Sequence, residues 1–590
     1  MKKFLLLTGM TSLLLSSCVF NLLPGPKFAK KTARFYSTVD FAFASMDYAT
    51  PEKAETKAYI GDINFKIHPK YKNILYTDFR TYCTLLAKTL PENYTYALNG
   101  YEFLVQNDKK EPLFAAMVDT GNERFVYSGG LSLGSYGGGA VAMASTLLAD
   151  LKIDQGYEVL PTYTTSSISY ANFAQDLPVY DWGNAFVAPL GLFDAAFGDA
   201  VSAYHIYDGN RVVQYNTSLV TLIPIGEAGS LSTTLGEFYK QNGMTYDMRL
   251  LDKACLYLAM ENRYGLRDFK RIPSMSKYFD MLGFSKSLVA EDPAERTNAY
   301  FDLFAALDDD HTGLNSVATW FGEDAKLNHR SQRSNDRNAL NKSLIEQRNN
   351  VLGTTRTPYG IDETVHYSTS GKTAYFYFDG FNFDPTPYNE SIRNDLWHRD
   401  TYFYFLHQLQ EIENHGGVER VIIDDSCNGG GTIGIAIKLL ALLSQENYAS
   451  IMTYDLNSKG VTRLAGSLDS NQDTKYDKDD VFGDDFEFSI ITSPSSFSCG
   501  NLFPIFAQRH FNATIIGQTS GGGECSVGSF FLPSGKEIKH SSNEIICDYI
   551  DEKVVRGVEL GATPDIVIPY YDFYNIDLLE QKLIEQNSID

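Results

Sequence analysis

The sequence is short of positive charge and, after its first twenty residues, of long apolar runs. Lys and Arg total 50 against 73 Asp and Glu, so the formal net charge is -23. A field of that sign repels polyanions, which argues against nucleic acid as a partner. A membrane-spanning helix needs a run of about 20 apolar residues, and the chain beyond its N-terminus offers no such run.

Cysteine is scarce too, with seven residues in 590, and no two of them stand in a Cys-x-x-Cys spacing. The absence of that spacing argues against a zinc site, and we expect neither a metal nor another cofactor. The glycine-rich stretch 129–139 lacks the Lys-Ser/Thr pair of a phosphate-binding loop, so it predicts flexible turns. The disulfide state of Cys427, Cys499, Cys525 and Cys547 stays open, because export permits both thiols and disulfides.

The N-terminus carries the clearest targeting signal. Lys2 and Lys3 precede an apolar segment, residues 4–15, that is too short to span a membrane. The segment ends in Leu-Ser-Ser before Cys18, which resembles the lipobox of bacterial lipoproteins. We therefore expect export and a lipid on Cys18 that anchors the chain at the bacterial cell envelope as its sole membrane contact. An ordinary cleaved signal with a chance cysteine is the alternative.

The length of the chain predicts more than one domain. Single hydrophobic cores stop growing near ~250–300 residues, so two or three domains are expected. Composition and periodicity divide the chain into a signal peptide (1–18), a tether (19–30), a mixed α+β accessory domain of unknown role (31–244), a helical segment (245–330), a polar linker (331–365) and a main C-terminal domain (366–582).

The C-terminal domain is predicted to be α/β. Its predicted strands are 374–378, 420–424, 488–492 and 514–516, and its predicted helices are 402–413, 433–443 and 502–508. Alternation of strands and helices implies a largely parallel sheet covered by helices. In such sheets, functional groups collect at the carboxyl ends of the strands.

Two loops stand at predicted strand ends. Residues 424–431, Asp-Asp-Ser-Cys-Asn-Gly-Gly-Gly, lead into a helix, and their glycines can expose backbone N–H groups to negative charge. An oxyanion hole needs this arrangement, although a plain strand-to-helix turn has the same pattern. Residues 492–501 place Ser498 at a helix start, with the Cys499 N–H facing the same point. Ser498 is therefore either a nucleophile or an N-cap.

A serine nucleophile needs a base, and His311 is the best candidate among the ten histidines. It follows three aspartates, 308–310, directly after a predicted helix, although such a cluster is also typical of a solvated acidic cap. His415 is better explained as the last residue of a helix before a turn. His510 follows the predicted Ser498 helix and is interpreted as structural.

Five segments, taken together, resemble the C-terminal-processing (tail-specific) serine peptidase family. They are 310–312 (Asp-His-Thr), 424–431, 496–501 (Ser-Phe-Ser-Cys-Gly-Asn), 516–523 (Ile-Gly-Gln-Thr-Ser-Gly-Gly-Gly) and 561–566 (Gly-Ala-Thr-Pro-Asp-Ile). The resemblance covers about residues 290–570, and the histidine segment is similar to that of the tricorn-core branch. It implies a crotonase-like (ClpP-like) superhelical β-sheet and a peptide or protein substrate.

The sequence departs from this family in ways that affect the expected mechanism. Many members use a Ser–Lys dyad, but residues 521–524, Gly-Gly-Gly-Glu, contain no lysine. The resemblance then favours the Ser/His/Glu arrangement of the tricorn-like branch, with Glu559 as the third group and Glu524 as the runner-up. Three further departures are Ser426 for an arginine, Asn501 for a glutamate and Asp310 for the serine before the histidine.

The resulting expectation is a serine peptidase with Ser498 as nucleophile and His311 as general base. Its oxyanion hole would consist of the Gly430 and Cys499 N–H groups, and Glu559 would orient or charge the imidazole network. The competing expectation is a non-catalytic lipoprotein that binds a peptide or another ligand on the same fold. The intact serine, histidine and glycine loop favour the enzyme.

Overall fold

The computed structural model describes residues 26–588, apart from 38–58, 91–92, 130–150, 154–164, 202, 208, 217–242, 315–330, 354–363, 385–386, 388–396 and 551–552. The predicted signal peptide, Cys18, most of the tether and the glycine-rich stretch after Gly129 lie outside the described residues. Across the described part, no helix combines the length and the apolar character that crossing a membrane requires.

The strands of the described residues are numbered in chain order. They are β1 (Ala29–Ser37), β2 (Tyr59–Ile67), β3 (Leu75–Asp78), β4 (Thr95–Asn99), β5 (Glu102–Gln106), β6 (Pro112–Asp119), β7 (Arg124–Gly129), β8 (Leu151–Ile153), β9 (Ser166–Ser169), β10 (Tyr180–Asp181), β11 (Phe186–Pro189), β12 (Ala203–Tyr207), β13 (Arg211–Asn216), β14 (Gly313–Leu314), β15 (His366–Tyr367), β16 (Thr373–Tyr377), β17 (Arg420–Asp424), β18 (Ala449–Asp455), β19 (Val461–Leu468), β20 (Glu487–Thr492), β21 (Thr514–Gly517), β22 (Cys525–Phe531), β23 (Glu537–Ile550), β24 (Lys553–Val555) and β25 (Ile566–Val567).

The α-helices are numbered in the same way. They are α1 (Phe79–Ala87), α2 (Ala171–Asp176), α3 (Leu190–Val201), α4 (Tyr246–Arg263), α5 (Met275–Met281), α6 (Phe284–Ser287), α7 (Pro293–Leu307), α8 (Gln332–Leu352), α9 (Thr401–His415), α10 (Ile433–Leu442), α11 (Cys499–Phe511) and α12 (Ile576–Asn587).

The N-terminal region contains two sheets around an aromatic core. One has the order β10-β11-β3-β2-β1-β13-β12, and the other is β4-β5-β6-β7-β9. Phe125 lies 5.2 Å from Phe197 and 5.8 Å from Phe193, measured between ring centroids. The same core continues through α4 into Phe530 and Ile538 of the β22–β23 hairpin. The predicted accessory domain and helical segment therefore share one hydrophobic core with part of the C-terminal domain.

The C-terminal domain contains the predicted α/β sheet, in the order β15-β16-β17-β20-β21-β25. All its pairs except β15–β16 are parallel. Alternate side chains of its strands point to opposite faces, so Ile423 packs with α9, α10 and α11 while Ile422 packs with α8 and α12. Burial on both faces explains why these strands are continuous apolar runs. The four predicted strands are confirmed.

A second sheet of the C-terminal domain has the order β14-β23-β18-β19-β8, with β22 and β24 also pairing to β23. Strand β14 begins two residues after His311 and pairs with β23, which fixes the histidine segment to this domain. Strand β8, from the predicted accessory domain, pairs with β19. This antiparallel sheet was not predicted, and it joins three regions that the sequence analysis treated as separate.

The predicted polar linker, residues 331–365, is in large part the 21-residue helix α8. Ser331 caps its first turn by accepting the Ser334 N–H. Arg348, near its C-terminal end, is fully buried and makes two hydrogen bonds to the Asp379 carboxylate, at 2.9 and 2.7 Å. Breaking a buried pair of this kind costs roughly 3–5 kcal/mol, so α8 is an integral part of the domain rather than a linker.

Candidate active site

Ser498 stands between strand β20 and helix α11 in a strained backbone conformation. Its φ is 57° and its ψ is -122°, a region that residues other than glycine rarely adopt. The Ser498 N–H donates to Gly522 O at 2.9 Å, which holds this conformation. Strain of this size, about 1–3 kcal/mol, persists where surrounding structure enforces it and often marks a functional residue.

The first turn of α11 presents backbone N–H groups beside Ser498. Among the described residues, the Cys499 N–H makes no hydrogen bond. The Cys499 thiol donates to Gly431 O at 3.1 Å. Burial raises the pKa of this thiol to about 12, so it remains a neutral donor at pH 7 and is not a competing nucleophile.

The glycine loop, residues 424–431, packs directly on the serine. A Cβ placed on Gly430 would lie 2.7 Å from both Phe497 O and Ser498 Cβ, and the φ of Gly430 is +96°, so only glycine fits there. The Gly430 N–H, however, donates to Asn428 Oδ1 at 2.9 Å. In this conformation the Gly430 N–H is therefore occupied within its own loop.

His311 is buried beside the nucleophile loop. Its ring centroid lies 4.7 Å from that of Phe497, the residue before Ser498. Asp309 holds the histidine turn together, because its carboxylate accepts the backbone N–H of His311 at 3.0 Å and the Thr312 hydroxyl at 2.6 Å. Among the described residues, no hydrogen bond joins His311 to Ser498 Oγ, and His311 Nδ1 is buried without a partner.

The environment of His311 keeps its ring neutral. Burial lowers the pKa of His311 to about 4. The charges of Lys539 and Arg337 lower it further, whereas those of Asp309 and Asp310 oppose the shift. A neutral imidazole can accept a proton at pH 7, although a base of such low pKa needs help to hold it.

The two candidate glutamates come from different segments that meet: Glu524 ends the loop between β21 and β22, and Glu559 lies in a short 3-10 helix between β24 and β25. Glu559 Oε2 accepts the N–H groups of Gly523 at 2.8 Å and Glu524 at 2.9 Å. Glu524 forms an ion pair with Arg556. No hydrogen bond joins either glutamate to His311 among the described residues. Burial raises the pKa of Glu559, and the nearby charge of Asp309 adds to that shift.

Other residues that the sequence singled out lie away from this cluster. His415 ends α9 and stacks on Tyr367 at 4.1 Å between ring centroids. His510 lies on α11, with its Nε2 3.0 Å from an Asp548 carboxylate oxygen. His415 therefore has the predicted position at a helix end, whereas His510 lies within the Ser498 helix rather than after it. The six cysteines of the described chain are buried free thiols.

Sequence reasoning missed the charged partners of the histidine turn. Asp310 forms an ion pair with Arg337 of α8 at 2.6 Å, and Lys539 on β23 acts on the same turn. The signal that could have found Arg337 is the spacing of Arg333, Arg337 and Asn341, which falls on one face of a helix.

These features define a class of protein: an α/β protein with a strained serine at the carboxyl edge of a parallel sheet and a neutral imidazole beside it. Residues 391–568 match peptidase family S41. The C-terminal part of the chain therefore contains a domain of peptidase family S41, a family of serine peptidases. The predicted resemblance is confirmed at this level. No curated protein matches the chain.

The solved structures that match the chain are distant from it in sequence. A candidate peptidase from Parabacteroides merdae ATCC 43184 is 17% identical, with a TM-score of 0.39 over 57% of this chain and 96% of that chain. Mature CPAF complexed with lactacystin is 12% identical, with a TM-score of 0.36 over 58% of this chain and 98% of that chain. The photosystem II D1 C-terminal processing protease is 12% identical, with a TM-score of 0.25 over 34% of this chain and 42% of that chain.

The buried ring of His311 generates a prediction that needs no activity assay. In Ser498→Ala protein, NMR of labelled histidine should show His311 titrating near pH 4, because burial disfavours the charged ring. An unfolded histidine titrates near about 6.5. Protonation of His311 should therefore destabilise the fold as the pH falls from about 6.5 towards 4, since the unfolded chain binds the proton first.

Adding His311→Asn to this protein assigns the His311 resonance, because only the His311 signal disappears from the spectrum. A midpoint near pH 6.5 for the assigned signal would show that the ring is solvated and that the buried arrangement is wrong.

Proposed function

We propose that this chain is a serine endopeptidase in which Ser498 attacks a peptide carbonyl and forms an acyl-enzyme. The observation that carries the proposal is the strained Ser498 backbone directly before α11, beside the unbonded Cys499 N–H. Helix N-termini favour negative charge, and a free N–H beside the nucleophile can bind the oxyanion as it forms.

His311 is the proposed general base. Its neutral ring would take the Ser498 proton and return it to the leaving amine, after which water would release the acyl group by the same route. Sites without substrate often have longer distances between these groups than the reacting complex. The contact of His311 with Phe497 keeps the ring one residue from the nucleophile.

The proposed oxyanion hole has two unequal donors. The Cys499 N–H is available, whereas the Gly430 N–H would first have to leave Asn428 Oδ1. The second donor would therefore be recruited when a substrate carbonyl enters. One donor of this kind contributes about 2.7–4 kcal/mol to transition-state stabilisation, which is enough to offset a single neutral hydrogen bond.

We propose that Glu559 supports the site indirectly. The carboxylate of Asp309 accepts the backbone N–H of His311 and its charge raises the pKa of the ring, whereas the charges of Glu559 and Asp309 repel each other. Glu559 also holds the loop that carries Gly522, the acceptor of the Ser498 N–H. Glu524 forms an ion pair with Arg556, so it is a weaker candidate for the third catalytic group beside Ser498 and His311.

Two further parts of the proposal concern fold and location. We infer that the parallel sheet and its helices form a crotonase-like superhelical peptidase core that acts on peptide or protein substrates. The lipobox-like segment before Cys18 supports export and lipid anchoring at the cell envelope.

Removing the nucleophile should abolish cleavage without unfolding the protein. Ser498→Ala should lower kcat/KM on an unfolded protein substrate about 10³-fold or more, because the covalent step is lost. A fluorophosphonate should label Ser498 in the parent, located by mass spectrometry of the peptide. Ser343→Ala, an exposed hydroxyl on α8, is the matched control and should behave as the parent.

Parent-like cleavage by folded Ser498→Ala would refute the nucleophile assignment. A folded parent that neither cleaves nor reacts with the phosphonate would instead be the non-catalytic binding lipoprotein.

The two acids near the site should have different effects on the pH profile. Asp309→Asn should move the acid limb of kcat/KM to lower pH and reduce kcat, because the carboxylate that raises the His311 pKa is lost. Glu559→Gln keeps an acceptor oxygen for the Gly523 and Glu524 N–H groups, so its acid limb should move less. A larger shift in Glu559→Gln than in Asp309→Asn would make Glu559 the direct partner of His311.

Anchoring can be tested separately from activity. Cells that express the full chain with labelled palmitate should incorporate the label into the parent but not into Cys18→Ser, because the acyl acceptor is absent. Equal labelling of both proteins would show that Cys18 is not the lipidated residue.

A further inference from the structure

Helix α8 contacts every loop of the candidate site. Its contacts are those of Arg333 with Gly521 O, of Arg337 O with Ser495 Oγ, of Asn341 Nδ2 with Cys427 O and of Arg337 with Asp310. These partners belong to four segments of the site: the loop after β21 (518–524), the nucleophile loop (493–498), the glycine loop (424–431) and the histidine turn (308–312). A helix that the sequence showed only as a polar stretch therefore lies across the whole site.

Arg337 is the residue of α8 that touches two of these segments with one side chain. Its guanidinium forms an ion pair with Asp310, 2.6 Å away, and the two side chains are 18% and 11% exposed. Its central carbon also lies 4.1 Å from the ring centroid of Phe497. A planar guanidinium suits both contacts, since it can pair with a carboxylate at its edge while stacking on a ring.

Phe497 completes the connection between base and nucleophile. Its ring meets Arg337 and also meets the His311 ring, 4.7 Å away between centroids. Phe497 precedes Ser498, and its own N–H donates to Asn428 O at 2.9 Å in the glycine loop. The position of this one ring therefore links the histidine turn to the strained serine.

We propose that Arg337 is a positioning residue, which clamps the His311 turn against the nucleophile loop through Asp310 on one side and Phe497 on the other. This inference rests on the proposed function, because it assigns a role within the same Ser498 and His311 site. Arg337 is not a catalytic residue, since it touches the base and the nucleophile only through their neighbours.

The clamp has an electrostatic consequence that a purely structural contact would lack. The charged groups acting on His311 are Asp309 and Asp310 on its own turn, Arg337 on α8 and Lys539 on β23. Losing Arg337 leaves Asp310 unbalanced, so the pKa of His311 should rise. Removing Asp310 as well restores the balance of charge but not the clamp.

The experiment measures kcat, KM and the pH profile of full-length protein on an unfolded substrate. Arg337→Met should lower kcat about 10–100-fold with a smaller change in KM, because small misplacement of reacting groups is costly. The acid limb of the pH profile of Arg337→Met should move to higher pH, because the pKa of His311 rises. Arg337→Lys, which keeps the charge but loses the planar fork, should keep the parent acid limb and recover only part of kcat.

Arg337→Met with Asp310→Asn should return the acid limb to its parent position while kcat stays low. Lys342→Met, an exposed lysine of the same helix, removes the same charge and should behave as the parent. If Arg337→Met does not fold, Asp310→Asn breaks the same ion pair from the other side and should also lower kcat.

Parent values of kcat and an unmoved acid limb in folded Arg337→Met would overturn the clamp, as would a loss of kcat in Lys342→Met of equal size. These outcomes differ from failure of the proposed function, in which Ser498→Ala would remain active. Cleavage that depends on Ser498 but not on Arg337 refutes only this inference.

Discussion

The hydrogen bond from the Ser498 N–H to Gly522 O is the constraint on which the rest of the site depends. It ties the nucleophile loop, residues 493–498, to the loop that follows β21, and the Gly521 N–H returns a bond to Ser496 O at 2.7 Å. A third loop joins them through the bond from the Phe497 N–H to Asn428 O. Three loops held by backbone bonds can impose a conformation that would otherwise cost about 1–3 kcal/mol at one residue.

Two arginines pair with carboxylates next to these loops. Arg348 neutralises Asp379 and lies 3.5 Å from Asp424, whose carboxylate also accepts the Tyr375 hydroxyl. Arg337 pairs with Asp310 beside His311. Both arginines come from α8, about three helical turns apart, so one helix supplies both cations.

Much of the C-terminal domain was predictable because its signals are local. Strands β16, β17, β20 and β21 are buried on both faces, and their continuous apolar runs are visible in the sequence. Parallel strands bring their carboxyl ends to one edge, so loops far apart in sequence meet there. The second sheet was missed because its pairs β8–β19, β14–β23 and β18–β23 join distant parts of the chain, and such partners are not encoded in any one segment.

Helix α8 was predicted to be a polar linker for a related reason. Its composition is polar, and polar helices usually face water, but Arg348 is fully buried because two carboxylates from other elements surround it. Likewise, Glu559 was assigned to the imidazole by resemblance, whereas the fold places Asp309 against His311 and Glu559 against the Gly523 and Glu524 N–H groups. Partners of charged side chains depend on which elements meet, which local pattern does not reveal.

The sequence by itself determined the α/β character of the C-terminal domain, the loops at its strand ends and the presence of Ser498 and His311 as candidate reacting groups. Tertiary structure alone decided that the His311 ring is neutral and packed on Phe497, that the Gly430 N–H is occupied, and that α8 spans the site. The physical reason is that strand patterns and glycine turns act within a few residues. Burial, ion pairing and hydrogen-bond competition arise only when distant segments are brought into contact.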